Sequence, residues 1–230
     1  MTEAEGTGSS VTPLARLLGL AARIGTQMFT RVRFEGAIDA IPDEGPVILA
    51  ANHVSNVDGV LLGGWVIPRL SRQVQWLGKK EMFDVPIMGQ VVRSYGVHPV
   101  ERSGADLEAF RLAERILDEG QVLLLFPEGT RSRDGSLQTP RDGLAMLALR
   151  TGATIVPIGI ADTDKVWRRG QKMPRPWPGG HVTVRLGQPF KVGDELPAGL
   201  DRKTAKSQAT DVIMRRIAAL LPERQRGPYA

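Results

Sequence analysis

The sequence contains no cysteine among its 230 residues. A disulfide framework and a cysteine-ligated metal are therefore excluded, and the composition suits the cytoplasm. Long apolar runs are also lacking, since no window approaches the roughly 18 uninterrupted apolar residues of a spanning helix. The first ten residues include Glu3 and Glu5 and no basic residue, which is not the pattern of a signal peptide. If this protein meets a membrane, we expect it to lie on the surface.

Acidic residues are outnumbered by basic ones, with a net charge of +5 and a pI of about 9.9. This balance predicts an anionic partner, and nucleic acid, anionic lipid headgroups and phosphorylated substrates all fit. The apolar share of 42% is enough for a sizeable core. We therefore expect one large domain.

Short apolar runs alternate with helical patterns through about the first 160 residues. The predicted strands cover residues 47–50, 74–77, 95–100, 122–126, 155–158 and 181–186. The predicted helices cover residues 60–67, 87–93, 105–119, 142–150 and 203–221. This alternation is typical of an α/β fold, and we predict a single domain with a mostly parallel sheet flanked by helices. Pro157 inside an apolar strand indicates a sheet edge or a bulge.

The N-terminal segment carries the pattern of an amphipathic helix. We expect residues 1–10 to be disordered and a helix to begin at Thr12-Pro13. Its apolar residues recur at helical spacing, and they are Leu14, Leu17, Leu18, Ala21, Ile24 and Met28. From residue 11 to 33 there are four arginines and no acid. The helix either lies in a lipid interface or packs on the core, and the pattern leaves both open.

We accordingly divide the chain into three parts. Residues 1–33 form a disordered start plus a basic amphipathic helix that is a candidate membrane anchor. Residues 34–221 form the main domain, with a turn-rich approach over 34–46. Residues 222–230 form a tail.

The stretch 51–59 places a histidine where a strand ends and an aspartate where a helix begins. Strand ends of this kind are where α/β folds place their chemistry. His53 can take a proton near neutral pH, and a carboxylate on its far nitrogen would fix the tautomer, so His53 and Asp58 are our candidate catalytic pair. The alternative is that Asp58 or Ser55 caps the helix and His53 is a loop histidine without a task.

Two other catalytic motifs fit poorly. Ser55 between His53 and Asp58 suggests a hydrolase triad, but three residues within six positions can hardly stack in relay, and the chain has no Gly-x-Ser-x-Gly elbow. Gly78-Lys79 does not complete a nucleotide-binding P-loop, because Gln73 stands where the motif needs its first glycine.

A second polar stretch, Phe126–Ser132, directly follows the apolar run at residues 122–126. An arginine and a hydroxyl beside a glycine, where the backbone can come close, suit a phosphate oxyanion. The alternative is an ion pair between Glu128 and Arg131 that stabilises a turn. Arg102 also sits just past a strand and could point to the same site, although a basic residue there is usually only a solvated end.

A basic segment with two tryptophans covers residues 165–185 and contains no acid. Arginine with Trp167 and Trp177 on a stiff, proline-rich loop suits a headgroup interface. It equally suits the phosphates of coenzyme A. The third alternative is a solvated loop whose tryptophans pack on the core.

In this order, these stretches resemble the four motif blocks of the 1-acylglycerol-3-phosphate acyltransferase family, the glycerolipid acyltransferases marked by His-x-x-x-x-Asp. The resemblance rests on Asn52–Asp58, Gly96–Arg102, Phe126–Ser132 and Val156-Pro157. It covers about residues 47–160. The second block departs from many members, because its run before the arginine is less hydrophobic.

The resemblance implies a glycerol-3-phosphate acyltransferase-like domain over residues 34–221. It implies that His53, oriented by Asp58, is the general base that removes a proton from an acceptor hydroxyl. The alkoxide then attacks the thioester of acyl-CoA or acyl-carrier protein. It further implies that the acceptor, lysophosphatidic acid, is bound by residues of the second and third blocks, which are Arg102, Glu128, Gly129, Thr130 and Arg131.

Together with the basic segments, the resemblance predicts a peripheral enzyme at the cytoplasmic face of the cell membrane. Its expected partners are the lipid surface, lysophosphatidic acid and acyl-CoA, with no metal, no permanently bound cofactor and no nucleic acid. Two alternatives stay open. One is a different acceptor, such as another lysophospholipid or an amino-acid-derived lipid, and the other is a non-catalytic module that binds anionic surfaces.

Overall fold

The computed structural model describes residues 11–100 and 106–230. The predicted disordered start and Arg102 lie outside the described residues. Within them, seven strands form one sheet in the order β1-β7-β6-β2-β5-β3-β4. The strands are β1 (Arg31–Glu35), β2 (Val47–Ala51), β3 (Val74–Lys79), β4 (Val97–Val100), β5 (Val122–Leu125), β6 (Thr154–Ala161) and β7 (His181–Leu186).

The sheet is parallel at every pairing except β6 with β7. Helices cover both faces, namely α1 (Pro13–Phe29), α2 (Val57–Leu61), α3 (Pro86–Ser94), α4 (Asp106–Asp118), α5 (Gly143–Thr151) and α6 (Arg202–Ala219). One core cluster lies between the sheet and α1 and α2, and the other lies between the sheet and α4, α5 and α6. The predicted fold class is confirmed.

Two predicted helices have different bounds. The helix expected over residues 60–67 begins earlier, as α2, and continues as a π-helical turn over Leu62–Val66 and a 3-10 turn over Ile67–Arg69. The N-terminal helix ends at Phe29, and Arg31–Glu35 is a strand that we did not predict. The strand forms because Val32 and Phe34 alternate with charged residues, so one face packs on the core and the other is exposed.

Helix α1 packs through its small residues. Ala15, Gly19 and Thr26 are buried, and a Cβ at Gly19 would lie 2.6 Å from the ring of Pro68, so the close approach requires glycine. The apolar side chains of the opposite face are exposed, and they are Leu14, Leu17, Leu20, Ile24 and Met28. The helix therefore packs on the core and also presents an apolar stripe outward. Among the described residues, none of the helices is long and apolar enough to cross a bilayer.

Pro157 lies in an interior strand, so the expectation of a sheet edge is wrong. The pairing beside it is nevertheless irregular. Three positions separate Ile155 from Ile158, whereas four separate their partners Phe190 and Leu186. The extra residue lies in the segment opposite the proline, between Leu186 and Phe190, whereas β6 itself pairs with β2 in unbroken register.

Candidate active site

The carboxyl ends of the parallel strands bring the predicted site residues to one edge of the sheet. His53 follows β2, Phe126 to Arg131 follow β5, and Thr163 follows β6. The backbone confirms that two of these loops touch, because the Ser132 N–H donates to the carbonyl of His53 at 2.7 Å. The site is therefore assembled from loops that are far apart in sequence.

His53 and Asp58 form a hydrogen-bonded pair. The distance from His53 Nδ1 to Asp58 Oδ2 is 2.8 Å, and because a carboxylate only accepts, Nδ1 carries the hydrogen. This leaves Nε2 with its lone pair on a side chain that is 21% exposed. The imidazole stacks on Phe126 with ring centroids 4.1 Å apart. The arrangement gives a positioned base with an open nitrogen.

Asp58 is fully buried and is held by several donors. Its Oδ2 also accepts the backbone N–H groups of Val54 and Ser55, both at 2.7 Å. Its Oδ1 accepts the hydroxyl of Thr163 at 2.6 Å. Asp58 lies in the first turn of α2, where a negative charge is favoured. It thus organises the loop before the helix and orients His53 at the same time.

Two buried polar side chains fix the backbone around His53. The Asn52 amide accepts the N–H of Ile160 at 2.7 Å and donates to its carbonyl at 2.9 Å, which ties the loop to β6. Glu128 accepts the N–H of His53 at 2.7 Å on one oxygen and the N–H of Gln138 at 2.9 Å on the other. These bonds place the loop after β5 against His53.

Glu128 was predicted to bind substrate, but the structure gives it a different position. It is 3% exposed, and both of its oxygens accept backbone N–H groups. Burial raises the pKa of Glu128 to about 8, although the two N–H groups lower it. An ion pair between Glu128 and Arg131 was the expected alternative to phosphate binding. This ion pair is not formed, and Arg131 donates to Asn56 Oδ1. Glu128 therefore holds the backbone of His53 against the loop after β5.

Arg131 and Gly129 lie on the loop after β5, and their expected role in binding substrate stays a prediction. The Arg131 side chain is half-buried and reaches Asn56 at the start of α2, and its carbonyl accepts from Arg169 at 2.9 Å. Gly129 has a φ of +64°, and a Cβ there would lie 2.8 Å from the side chain of Arg141. Arg141 thus adds a second guanidinium to this loop, next to the half-exposed Thr130. The cluster offers positive charge and backbone to an anion.

Ser55 is not a nucleophile in this arrangement. Its hydroxyl donates to the carbonyl of Trp167 at 2.6 Å and accepts the N–H of Val57, and the residue is fully buried. Ser55 also pairs with Arg168 in an isolated β-bridge. The serine therefore joins the basic segment to the loop that carries His53.

The basic segment has exposed charges and partly buried tryptophans. Trp177 packs on the core, and the indole N–H of Trp167 donates to Gln171 at 3.0 Å. The exposed basic residues of the segment include Arg168, Arg169, Lys172 and Arg175. Arg185, in contrast, pairs with Glu35 at 2.6 Å. What binds the exposed charges stays a prediction.

An apolar cavity of about 180 Å³ lies between α1, α2 and the basic segment. Its walls include Gly25, Phe29, Val57, Val60, Trp167 and Pro174. Val57 precedes Asp58 directly, so the cavity borders the candidate pair. Among the described residues, no group of three or more histidine or acidic side chains is placed to hold a metal ion.

Two buried residues that contact the pair or its backbone were missed in the sequence. Asn52 stands next to His53, and its position before the histidine could have drawn attention. Thr163 comes from a segment without any recognised motif, and sequence offered no signal for it.

Comparisons with known proteins agree on the family. A family model described as Acyltransferase matches residues 31–161, which is more than half of the chain. A 1-acyl-sn-glycerol-3-phosphate acyltransferase of Cocos nucifera is 33% identical over 150 residues, covering 64% of this chain and 46% of the relative. A lyso-ornithine lipid O-acyltransferase of Pseudomonas aeruginosa is 32% identical over 158 residues, covering 67% and 57%.

A solved structure agrees as well. The crystal structure of the 1-acyl-sn-glycerophosphate acyltransferase of Thermotoga maritima superposes with a TM-score of 0.69 at 25% identity, covering 90% of this chain and 79% of that chain. The chain spans about half the length of the first curated relatives that it matches.

Proposed function

The chain belongs to the Acyltransferase family, and from this premise we propose that it transfers an acyl chain to the free hydroxyl of 1-acylglycerol-3-phosphate, giving phosphatidic acid. The donor is a thioester, either acyl-CoA or acyl-carrier protein. One observation carries the proposal: His53 has an open Nε2 and a buried aspartate on Nδ1, beside a loop that bears Arg131. Relatives that act on this acceptor support the substrate class.

His53 performs the proton transfer in this reaction. Its Nε2 takes the proton of the acceptor hydroxyl as the oxygen attacks the thioester carbonyl carbon, and the proton then passes to the departing thiolate. Between these two proton transfers His53 is an imidazolium, and Asp58 stabilises it as the aspartate does in the triads of hydrolases. General base catalysis of this kind contributes about 10²- to 10⁴-fold. No nucleophile of the protein is needed, because the thioester is already activated.

The acceptor phosphate binds at the loop after β5. Arg131 supplies charge, and Gly129 and Thr130 supply backbone and hydroxyl groups. Arg102, to which the resemblance gives the same task, lies outside the described residues. Arginine suits this task because its planar fork pairs with phosphate oxygens. Glu128, in contrast, supports the site by holding the backbone of His53. The phosphate and the reacting hydroxyl thus meet the protein on neighbouring loops.

The acyl donor approaches from the side of the basic segment. The apolar cavity next to Val57 fits methylene groups, and its lining by Trp167 and Pro174 connects it to that segment. The exposed Arg168, Arg169 and Lys172 fit the phosphates of a donor. A fatty acyl thioester that carries phosphate would place its acyl chain in the cavity and its phosphates on the basic residues.

The protein lies on a membrane surface, at the cytoplasmic face of the cell membrane. The support is the apolar stripe of α1, where Leu17 is 64% and Met28 is 77% exposed. Ile87 at the start of α3 is 80% exposed, and α3 packs beside α1. Apolar side chains of this kind, with arginines around them, bind at the boundary of headgroups and acyl chains. An acceptor that resides in the membrane would then reach the site directly.

The test follows free CoA and phosphatidic acid together, with palmitoyl-CoA and lysophosphatidic acid on vesicles. We expect both products from the wild type and neither from His53→Ala, whose fold is checked by circular dichroism.

Arg131→Ala should raise the KM for lysophosphatidic acid, whereas Arg133→Ala, a matched loss of an exposed arginine on the same loop, should leave it unchanged. Equal rates for wild type and His53→Ala would refute the mechanism. Vesicle binding without transfer from either donor would support the non-catalytic alternative.

A second acceptor is favoured by one specific observation, the similarity to the lyso-ornithine lipid acyltransferase. That acceptor has no phosphate. If it were the substrate, acylation of lyso-ornithine lipid would exceed that of lysophosphatidic acid, and Arg131→Ala would not change the KM of the acceptor. The same assay with both acceptors decides between them.

A further inference from the structure

Thr163 makes a contact that the reaction scheme does not yet use. The residue is fully buried, and its hydroxyl donates to Asp58 Oδ1 at 2.6 Å. The other oxygen of Asp58 accepts from His53, Val54 and Ser55. Thr163 is thus the partner that the described residues give to Oδ1.

This contact fixes the plane of the carboxylate. With bonds on Oδ2 alone, the group could turn about its Cβ–Cγ bond and change the direction of its lone pairs. A donor on Oδ1 removes that freedom, so that Oδ2 stays aimed at His53 Nδ1. Charge-assisted hydrogen bonds of this length are the strong ones.

Thr163 is itself held by an unusual backbone. The preceding residue, Asp162, has a φ of +66° and is the one non-glycine among the described residues with a positive φ. Such a conformation is sparsely populated and needs support from its surroundings. The support comes from the C-terminal end of the chain: Gln225 Oε1 accepts the N–H of Asp162 at 3.2 Å, and Arg224 pairs with its carboxylate.

Gln225 reaches the second loop of the site as well. It is 5% exposed, and its side-chain amide donates to the carbonyl of Gly135 at 3.0 Å. The backbone carbonyl of Gln225 accepts the N–H of Leu137 at 2.8 Å. The next residue, Gln138, donates to Glu128, which accepts from the backbone of His53. One side chain therefore ties together the two loops that hold His53 and Asp58.

We propose, on the basis of the proposed acyl transfer, that Thr163 is a positioning residue for the His53–Asp58 pair and that Gln225 keeps it in place. The segment 222–230 is then a brace of the active site. Two buried hydrogen bonds carry the proposal, from the Asp162 N–H to Gln225 and from the Thr163 hydroxyl to Asp58, and the peptide bond between Asp162 and Thr163 joins them.

The first experiment compares Thr163→Val with Thr163→Ser. Valine has nearly the same shape and lacks the hydroxyl, whereas serine keeps it. We expect Thr163→Val to lower kcat about 10- to 100-fold, the range that one charge-assisted hydrogen bond corresponds to, with the KM of both substrates little changed. Thr163→Ser should restore most of kcat. Thr210→Val, the same exchange on α6, is the control for a general effect of losing a hydroxyl.

Gln225→Met tests the brace. It removes both side-chain hydrogen bonds at similar volume, and we expect a smaller loss of kcat in the same direction, while the exposed Gln188→Met has no effect. Wild-type kcat in Thr163→Val would overturn the positioning role while leaving the proposed acyl transfer intact. Absence of product from the wild type would instead refute the proposed function.

A readout without turnover decides the positioning role in that case. The chain has three histidines, and His53→Ala identifies the imidazole signals of His53 in nitrogen-15 spectra. We expect the hydrogen-bonded Nδ1–H signal in wild type and Thr163→Ser, and its loss or displacement in Thr163→Val and Gln225→Met. An unchanged signal in Thr163→Val would overturn the proposal.

Discussion

Glu128→Gln tests how the buried glutamate holds the loop that carries His53. Glutamine has one oxygen, so its amide nitrogen must face one of the two backbone N–H groups that Glu128 now satisfies. A buried N–H without an acceptor costs about 1–3 kcal/mol. This loss of stability is the same at every pH. The free energies of unfolding of the wild type and Glu128→Gln also differ by an amount that depends on pH.

The pH-dependent difference follows from the pKa of Glu128, which burial raises from 4.5 to about 8. Between these values the folded state keeps a proton that the unfolded state releases. The contribution of this group to stability is therefore fully present below pH 4.5 and is lost as the pH rises toward 8. The free energy of unfolding of the wild type, relative to that of Glu128→Gln, should fall by up to about 1.4 kcal/mol per pH unit in this window.

The assay is urea unfolding followed by tryptophan fluorescence at half-unit steps from pH 4 to pH 9. Glu108→Gln, an exposed glutamate on α4, is the matched control and should show no such fall. A constant difference between pH 5 and pH 8 would refute the reasoning, because it would mean that the two N–H bonds outweigh burial and keep Glu128 ionised.

Two further predictions concern Gly129 on the loop after β5 and the exposed apolar face of α1. Gly129→Ala should cost about 1–2 kcal/mol in urea unfolding because of the positive φ, and should raise the KM of the acceptor because the new Cβ displaces Arg141. Leu17→Gln should weaken binding to anionic vesicles about tenfold in co-sedimentation without changing stability, since Leu17 is 64% exposed. The exposed Gln27→Asn on the same helix should change neither; equal vesicle binding by Leu17→Gln would contradict a membrane role of the stripe.

The sheet and its order of elements could be predicted because buried parallel strands produce continuous apolar runs, as at residues 47–50 and 122–125. Strand β1 was missed because it is only five residues long and its arginines were assigned to the basic N-terminal helix, although Val32 and Phe34 alternate with charged residues. Helix α1 was recognised from its spacing, but spacing does not tell which face packs. In the structure the small residues pack and the apolar stripe is exposed.

The closeness of His53 and Asp58 could be predicted because a strand-to-helix turn brings them together over five positions. The position of Glu128 could not, since a charge next to glycine and arginine gives the same pattern whether it faces a ligand or the backbone of another loop. Thr163 and Gln225 contribute through contacts that span 105 and 63 positions of sequence. Such contacts depend on the whole fold, and local patterns do not contain them.

The central claim, direct acyl transfer with His53 as the base, is tested most directly in a single turnover. Excess enzyme is mixed with acyl-CoA and lysophosphatidic acid, and free CoA, phosphatidic acid and the intact mass of the protein are recorded over time. The account predicts that CoA and phosphatidic acid form at the same rate while the protein mass stays constant, and that His53→Ala forms neither. An acylated protein that accumulates before the product, or wild-type rates in His53→Ala, would contradict it.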